Sequence, residues 1–155
     1  MRRGFEPTPR LELPAGWASL REGEAFFDVY RPLGGTGEGR LIGDVAILVA
    51  CLDGDDAPGD VIDRFEANPS LDVGDVGTAE LDGAEGLRAD IEATSESTVV
   101  SFPGGSLSAC PGRKLRVYAV DVDGRTFVLV VDGSAESFDD DVEAAQPILE
   151  SVDFG

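Results

Sequence analysis

The stretch KLRVYAVDVDGRTFVLVV, residues 114–131, is the most informative part of this 155-residue chain. Two apolar runs flank Asp123-Gly124, a dipeptide typical of the two-residue turn of a β-hairpin. The stretch therefore predicts two antiparallel strands, Lys114 to Val122 and Arg125 to Val131. A hairpin alone is marginal in water, so the rest of the chain must supply strands or helices that cover its apolar side chains.

Further strands are predicted before this hairpin. Residues 41–52 form the most apolar run and indicate a central strand covered on both faces. Residues 24–31 and 10–13 indicate an aromatic strand and a short one, and Asp82-Gly83 indicates a second hairpin turn. After that turn, Leu87, Ala89, Ile91 and Ala93 alternate with Arg88, Asp90 and Glu92, as in a half-exposed strand. Ser95 to Pro111 is polar and glycine-rich and is interpreted as an insertion loop.

Two helices are predicted. The first begins at Pro58, near Asp56, and ends before Pro69, with Val61, Ile62 and Phe65 on one face. The second follows a capping box of Ser137 and Asp140. Its apolar stripe is Phe138, Val142, Ala145, Leu149 and Val152, with Pro147 off the stripe as an outward kink. We expect Leu115, Val117 and Val128 or Leu129 to meet this stripe.

The order of elements predicts an α+β fold, a mostly antiparallel sheet with flanking helices. Residues 1–9 are interpreted as a flexible lead-in, and residues 10–155 as a single domain. A monomer is expected.

Composition restricts the function. The chain has 31 acidic and 12 basic residues, a net charge of −19 and no histidine. Histidine is the side chain best suited to proton transfer near neutral pH and the commonest metal ligand, so we expect no catalytic, cofactor or metal site. Nucleic acids and anionic membranes are disfavoured partners, because they bind to Lys/Arg patches. A partner held by charge should be cationic.

The basic residues carry a second signal, because Lys114 is the single lysine among them. This preference for arginine indicates a GC-rich genome, such as an actinobacterial one, or a salt-adapted organism.

Cys51 and Cys110 are the two cysteines. Two ligands cannot complete a structural zinc site, and no histidine is present to activate a thiolate. Two possibilities are left for these cysteines: a disulfide between them, or two buried thiols. The even count and their positions, at a strand end and before the hairpin, favour the disulfide, which would imply an oxidising compartment.

Other patterns are weaker. Asp53, Asp55, Asp56 and Asp60 resemble the start of a calcium loop, but Ala57, Pro58 and Arg64 stand at positions that need a ligand, a glycine and a glutamate. The glycines at 34–39 lack dinucleotide-binding spacing and indicate a hairpin loop. Asp139-Asp140-Asp141 indicates helix capping. Trp17, Phe26, Phe27 and Tyr30 could line a pocket, although core packing is favoured.

Several short stretches resemble one family. Leu13-Pro14-Ala15-Gly16-Trp17 is similar to the opening of PsbP-like domains and of actinobacterial lipoproteins of the LpqN type. The segments Asn68–Leu71, Val76–Asp90, Leu115–Thr126 and Ile148–Phe154 are similar to uncharacterised actinobacterial extracytoplasmic domains. The resemblance implies a three-layer α/β/α arrangement around an antiparallel sheet, behind a signal peptide or membrane anchor outside this chain. It implies a binding and assembly scaffold and no catalytic residues.

These observations favour a non-catalytic extracytoplasmic binding or accessory domain whose partner is a protein or a small molecule. One alternative is a hydrolase that uses paired carboxylates, which 31 acidic residues leave open. The other is a salt-adapted cytoplasmic protein with a structural or interaction role.

Overall fold

The computed structural model describes residues 9–22, 26–32, 43–52, 56–102 and 105–154. Within these ranges the chain forms nine strands and two helices. In chain order they are β1 (Ala18–Glu22), β2 (Phe26–Pro32), β3 (Gly43–Cys51), α1 (Pro58–Ala67), β4 (Leu71–Leu81), β5 (Ala84–Ala93), β6 (Ser97–Phe102), β7 (Gly105–Ala109), β8 (Arg113–Val122), β9 (Arg125–Ser134) and α2 (Phe138–Glu150).

Seven strands form one sheet in the order β1-β2-β3-β9-β8-β5-β4, and every neighbouring pair is antiparallel. Both predicted hairpin turns are confirmed. Asp123 and Gly124 have φ values of 52° and 84°, and Asp82 and Gly83 have values of 49° and 78°. Positive φ at both central residues matches the twist of the flanking strands, which explains why Asp-Gly marks these two turns. The α+β expectation is confirmed as a mostly antiparallel sheet with two helices.

The two helices pack on opposite faces of the sheet. Along β9, Val128 and Val130 join the cluster that contains α1, whereas Phe127, Leu129 and Val131 join the cluster that contains α2. Side chains alternate between faces along a strand, so these two clusters lie on the two sides of the sheet. The prediction that β3 is covered on both faces is confirmed, since Val45, Ile47, Leu48, Val49 and Ala50 are all buried.

The predicted packing of α2 is wrong in part. Leu129 meets the cluster of α2 as expected, but Leu115, Val117 and Val128 belong to the cluster of α1. The hairpin register places Val117 opposite Val130 and Tyr118 opposite Leu129. Because successive side chains of a strand alternate between the two faces of the sheet, Leu129 lies on the face opposite to Leu115, Val117 and Val128. A shift of the strand register by one residue would move each side chain to the other face.

Helix α1 matches its prediction in extent, and Val61, Ile62 and Phe65 are its buried residues. Ala57 precedes the helix, and its backbone N–H donates to Asp60 Oδ2 at 2.9 Å. Asp56, which the sequence predicts as a solvated residue before the helix, forms an ion pair with Arg64. Asp53 and Asp55, the other acids of the calcium-loop comparison, lie outside the described residues.

Helix α2 begins after Ser137, but the predicted capping box with Asp140 does not form, because Ser137 caps no backbone N–H. Asp141 instead joins the first turn of α2 to the end of β9 and is only 3% exposed. Its carboxylate accepts hydrogen bonds from the Ser134 N–H at 3.1 Å and the Ser137 hydroxyl at 3.0 Å. The predicted stripe is buried and the helix continues through Pro147 to Glu150, with Ile148 as a further buried residue.

The interpretation of Ser95 to Pro111 as a loop is wrong, because this segment forms the β6–β7 hairpin. Phe102 is 7% exposed, and its ring centroid lies 4.8 Å from that of Phe26 on β2. The hairpin therefore has its own apolar anchor on the face of α1, which the polar composition of the segment conceals.

The predicted short strand at residues 10–13 is reduced to a single bridge between Arg10 and Asp153. Residues 1–8 of the predicted lead-in and the glycines at 34–39 lie outside the described residues. The aromatic residues divide between the faces: Phe26 packs in the cluster of α1, and Trp17 and Phe27 pack against the cluster of α2. These three rings therefore do not line one pocket.

The disulfide prediction is wrong, since the structure has no bond between Cys51 and Cys110. Cys51 is buried and pairs with Phe127 at the start of β9. Cys110 is exposed, and its carbonyl accepts from the N–H of Arg113, which pairs with Ser134 at the end of β9. The length of β9 separates the two residues by about 20 Å, far beyond the span of a disulfide.

Candidate interaction surface

Each helix covers only part of the sheet. Helix α1 packs on β4, β5 and β8, whereas α2 packs on β9 and β3 on the other side. On the side of α2, the part of the sheet formed by β8, β5 and β4 is therefore not covered by this helix. We call this surface the open face and define it by eight residues: Lys114 and Arg116 of β8, Arg88, Asp90 and Glu92 of β5, and Asp72, Gly77 and Ala79 of β4.

The register of the strands assigns these residues to one face. Glu92 lies opposite Lys114, Asp90 opposite Arg116 and Arg88 opposite Tyr118. On β4, Asp72 lies opposite Glu92, and Gly77 opposite Arg88. Residues directly opposite in neighbouring strands share a face. Tyr118 belongs to the cluster of α2, which identifies the side of the sheet.

An ion pair crosses the centre of the open face. Arg116 donates from Nε to Asp90 Oδ1 at 2.7 Å and from its terminal nitrogen to Asp90 Oδ2 at 3.0 Å. Both side chains are 20% exposed. The hydrogen bonds to Asp90 raise the pKa of Arg116 and outweigh the opposite effect of burial. This two-bond geometry fixes both planar groups and joins β5 to β8.

Lys114 lies where the open face meets the start of α2. Its Nζ is 4.9 Å from the ring centroid of Phe138, and the guanidinium carbon of Arg116 is 5.6 Å from the same centroid. The face of an aromatic ring attracts cations at this distance. Phe138 is 4% exposed, so a buried ring holds the two basic side chains at the edge of the helix.

Depressions flank Lys114 on two sides. One, of about 350 Å³, is lined by Asp72, Val73, Gly74, Asp75, Asp90, Glu92 and Lys114. The other, of about 290 Å³, lies at the beginning of α2 and is lined by Lys114 and by residues 135–140. Acidic side chains outnumber basic ones in both linings, so the surface around Lys114 is negative despite its central amine.

A bulge in β4 shapes the first depression. The pairing of β4 with β5 shifts between Val73 and Val76, which leaves Gly74 and Asp75 outside the regular ladder. A Cβ at Gly74 would come to 3.4 Å from the Asp90 carbonyl oxygen, an ordinary van der Waals distance. The extra residue of the bulge adds Asp75 to the acidic lining of the depression.

At the other end of the open face lie the small residues Ala79 and Gly86, beside the β4–β5 turn. They line a depression of about 420 Å³ together with Thr78, Glu80 and Glu85, which alternate onto the side of α1. The open face thus runs from the acidic depression, past Arg88, to these small residues. Charged side chains on a rigid sheet are suited to ion pairs and hydrogen bonds with a docked partner.

The described part of the chain contains no group of three acidic or cysteine side chains that could hold a metal ion. The three aspartates predicted to cap α2 differ in position: Asp139 and Asp140 line the depression beside Lys114, and Asp141 is buried and accepts a hydrogen bond from the Ser134 N–H of β9. None of the described helices is long and apolar enough to span a membrane.

The open face was only partly foreseeable. The alternation in β5 correctly predicts Arg88, Asp90 and Glu92 on the outer side of that strand. Their partners Lys114 and Arg116 were overlooked, although these residues alternate in the same way with Leu115 and Val117. That polar alternation at the start of β8 is the signal that could have identified the surface.

Comparisons with known proteins define the class of fold. No protein-family model and no curated protein matches the sequence. Among solved structures, LpqN of Mycobacterium tuberculosis, described as involved in cell envelope biogenesis, aligns with a TM-score of 0.51 and 19% identity, over 94% of this chain and 82% of that one. Mog1p of Saccharomyces cerevisiae, a Ran-binding protein, aligns with a TM-score of 0.54 and 10% identity, over 94% and 89%.

This chain is therefore similar in fold to LpqN and Mog1p. The expected LpqN-type resemblance is confirmed at the level of the fold. Cyanobacterial PsbP of Synechocystis aligns over 96% of this chain and 87% of that one, with 12% identity and a TM-score of 0.45.

Proposed function

We propose that the protein is a non-catalytic binding domain that docks a protein partner on the open face. The observation that carries the proposal is a charged sheet surface that α2 leaves uncovered, held rigid by the Asp90–Arg116 pair. Rigid, preorganised polar groups lose little entropy when a partner docks, which favours binding.

The fold supports this role. Mog1p shares it and is a Ran-binding protein. The ion pair also favours binding over hydrolysis by paired carboxylates. Both oxygens of Asp90 accept hydrogen bonds from Arg116, which suits a structural pair rather than a general acid.

The compartment is part of the proposal. We place the domain outside the cytoplasm, because the Leu13–Trp17 motif and the fold are both similar to LpqN, which is involved in cell envelope biogenesis. The helix on each face of the sheet supports the three-layer α/β/α arrangement that the resemblance implies. Protease digestion of intact cells that express the complete reading frame tests the compartment: degradation of the domain is expected, and full protection contradicts it.

A photo-crosslinking experiment tests the docking surface. A benzophenone amino acid replaces Glu92 on the open face or, as the matched control, Glu66, which is exposed on α1 on the other side of the sheet. In cells that carry the natural gene, we expect one discrete adduct from position 92 and none from position 66. The captured protein is identified by mass spectrometry and purified.

Binding of that purified protein is then compared between two charge-reversal variants. Asp72→Lys with Glu92→Lys alters the open face, and Asp63→Lys with Glu66→Lys changes the net charge equally on α1. The first variant should weaken binding at least tenfold, and the second should change it less than twofold. Equal effects of the two variants, or an adduct from position 66, would contradict the proposed surface.

A further inference from the structure

We propose that a basic, extended segment of the partner adds to β4 as a further strand of the sheet. This inference rests on the proposed function and states which chemistry the partner brings and where it binds. It depends on the edge position of β4, the regular part of that strand, and the charges beside it.

Strand β4 is the last strand in the sheet order and pairs with β5 alone among the described strands. It has 11 residues, whereas β1 at the other edge has five. An edge strand presents backbone N–H and C=O groups on its outer side, and an extended peptide can pair with them. The longer edge offers more such groups.

The bulge divides β4 and limits where a strand can add. From Val76 to Leu81 the pairing with β5 is continuous, ending with Leu81 opposite Ala84. A run of this length equals a typical strand. The ladder is irregular between Val73 and Val76, so we assign the added strand to the run that begins at Val76.

The side chains along this run indicate which side chains the partner strand should carry. Val76 is 45% exposed, and an apolar partner side chain could cover it. Thr78 and Glu80 are also exposed. Asp75 lies in the bulge and Asp72 precedes it, and both line the acidic depression.

An added strand would lie about 4.8 Å from β4, within reach of these side chains. Opposite charges across neighbouring strands stabilise the pairing, and like charges destabilise it. Glu80 shares the side of α1 with Val76, whereas Asp72 lies on the open face. A lysine or arginine on the added strand would meet Glu80, and basic residues just beyond the strand would reach Asp75 and Asp72. The acidic edge therefore selects a basic strand.

The same charges exclude a second copy of this chain as the occupant. Two β4 edges would bring Asp72, Asp75 and Glu80 of each copy together, and each copy carries a net charge of −19. Acidic residues and a bulge are the devices by which an edge strand avoids pairing with itself. The β4 edge therefore does not pair with a second copy of this chain but can pair with a positively charged strand.

The test uses an eight-residue peptide of lysine, valine and threonine, ordered so that in antiparallel pairing a valine lies opposite Val76 and a lysine opposite Glu80. The protein is titrated at 0.15 M sodium chloride and followed by amide NMR and hydrogen exchange. We expect slower exchange at amides within Val76–Leu81 together with chemical-shift changes there. Two control peptides carry N-methyl groups on one or the other alternate set of backbone amides, with all charges kept. One set should abolish binding, because its N–H groups face β4, and the other should leave binding unchanged.

Charge is tested separately with Asp72→Asn, Asp75→Asn and Glu80→Gln combined, which should weaken peptide binding about tenfold. The matched control, Asp63→Asn with Glu66→Gln on α1 and Glu143→Gln on α2, removes the same number of charges from exposed positions and should change it less than twofold. Chemical-shift changes without slower exchange, equal effects of both N-methylated peptides, absence of binding, or protection of β4 by self-association would each overturn strand addition. If these results accompany an open-face adduct at position 92, the proposed function stands and only its strand mechanism fails.

Discussion

Gly86 shows how closely the backbones of two strands approach at a single residue. A Cβ at this position would lie 1.9 Å from the carbonyl oxygen of Ala119 and 2.7 Å from the Cα of Val120. Both atoms belong to the backbone of β8, so neither can move without disturbing the ladder. Glycine is required here for space rather than for an unusual φ.

We expect Gly86→Ala to lower the free energy of unfolding by about 3 kcal/mol, because the added methyl group forces β5 and β8 apart. Gly59→Ala is the matched control, since a Cβ there meets nothing within 4 Å. That change lies in the first turn of α1 and should be neutral or stabilising by about 0.5 kcal/mol. Urea titration measures both, and equal stabilities would contradict the close approach.

The ionisation of Asp132 makes the stability of the fold depend on pH. Burial raises the pKa of Asp132, and the Asp141 charge raises it further, although the ion pair that Arg113 makes at 2.9 Å opposes both. A carboxyl group whose pKa is higher in the folded state stabilises the fold most when protonated, below the unfolded pKa of about 3.9. That contribution is lost as the pH rises through the folded pKa.

Asp132→Asn should therefore gain stability relative to the natural protein as the pH is raised from about 4 to 7. Urea titrations of both proteins across this range measure the difference. A relative loss of stability with rising pH would show that the Arg113 ion pair outweighs burial.

At the scale of elements, α2 is held by side chains that meet the inner strands. Ala145 and Ile148 are fully buried and Leu149 is 2% exposed, against the side of β3 and β9 that contains Ile47 and Leu129. The β6–β7 hairpin depends on fewer such contacts, with Phe102 against Phe26 as its anchor.

Leu149→Ala should lower the free energy of unfolding by about 2–5 kcal/mol, because it removes a buried side chain and leaves a cavity. Gln146→Ala is the control on the exposed side of the same helix and should change stability by less than about 0.5 kcal/mol. Guanidinium titration measures both changes. A Leu149→Ala protein as stable as the control would mean that α2 does not pack on the sheet.

At the scale of the whole molecule, the chain has 31 acidic residues and only 12 basic ones. Repulsion among them destabilises a compact state, and salt screens it within a Debye length of about 8 Å at physiological ionic strength. The described ion pairs, such as Arg113–Asp132 and Arg116–Asp90, neutralise only a few acids.

We expect the melting temperature to rise from low salt to about 1 M sodium chloride, as screening weakens this repulsion. Magnesium chloride at equal ionic strength should give a similar rise. A flat response to both salts would show that local pairing already balances the acids and would argue against a cationic partner. A much larger effect of magnesium would indicate a specific divalent site.

Several features were predictable because they depend on neighbours in sequence. Asp123-Gly124 and Asp82-Gly83 specify their turns through the φ values that these residues tolerate. Pro58 and the apolar spacing after Ser137 mark the two helices, since proline suits a first turn and buried positions recur every three or four residues. The acidic composition is likewise independent of the fold.

Tertiary structure alone decided which residues meet. Val128 and Leu129 are adjacent in sequence but face different helices, because the strand register assigns successive side chains to opposite faces. Cys51 and Cys110 stay apart because β9 runs between them, and Lys114 meets Glu92 only because β8 pairs with β5. Local preferences specify turns, helices and strands, whereas the pairing of distant strands determines the open face and the β4 edge.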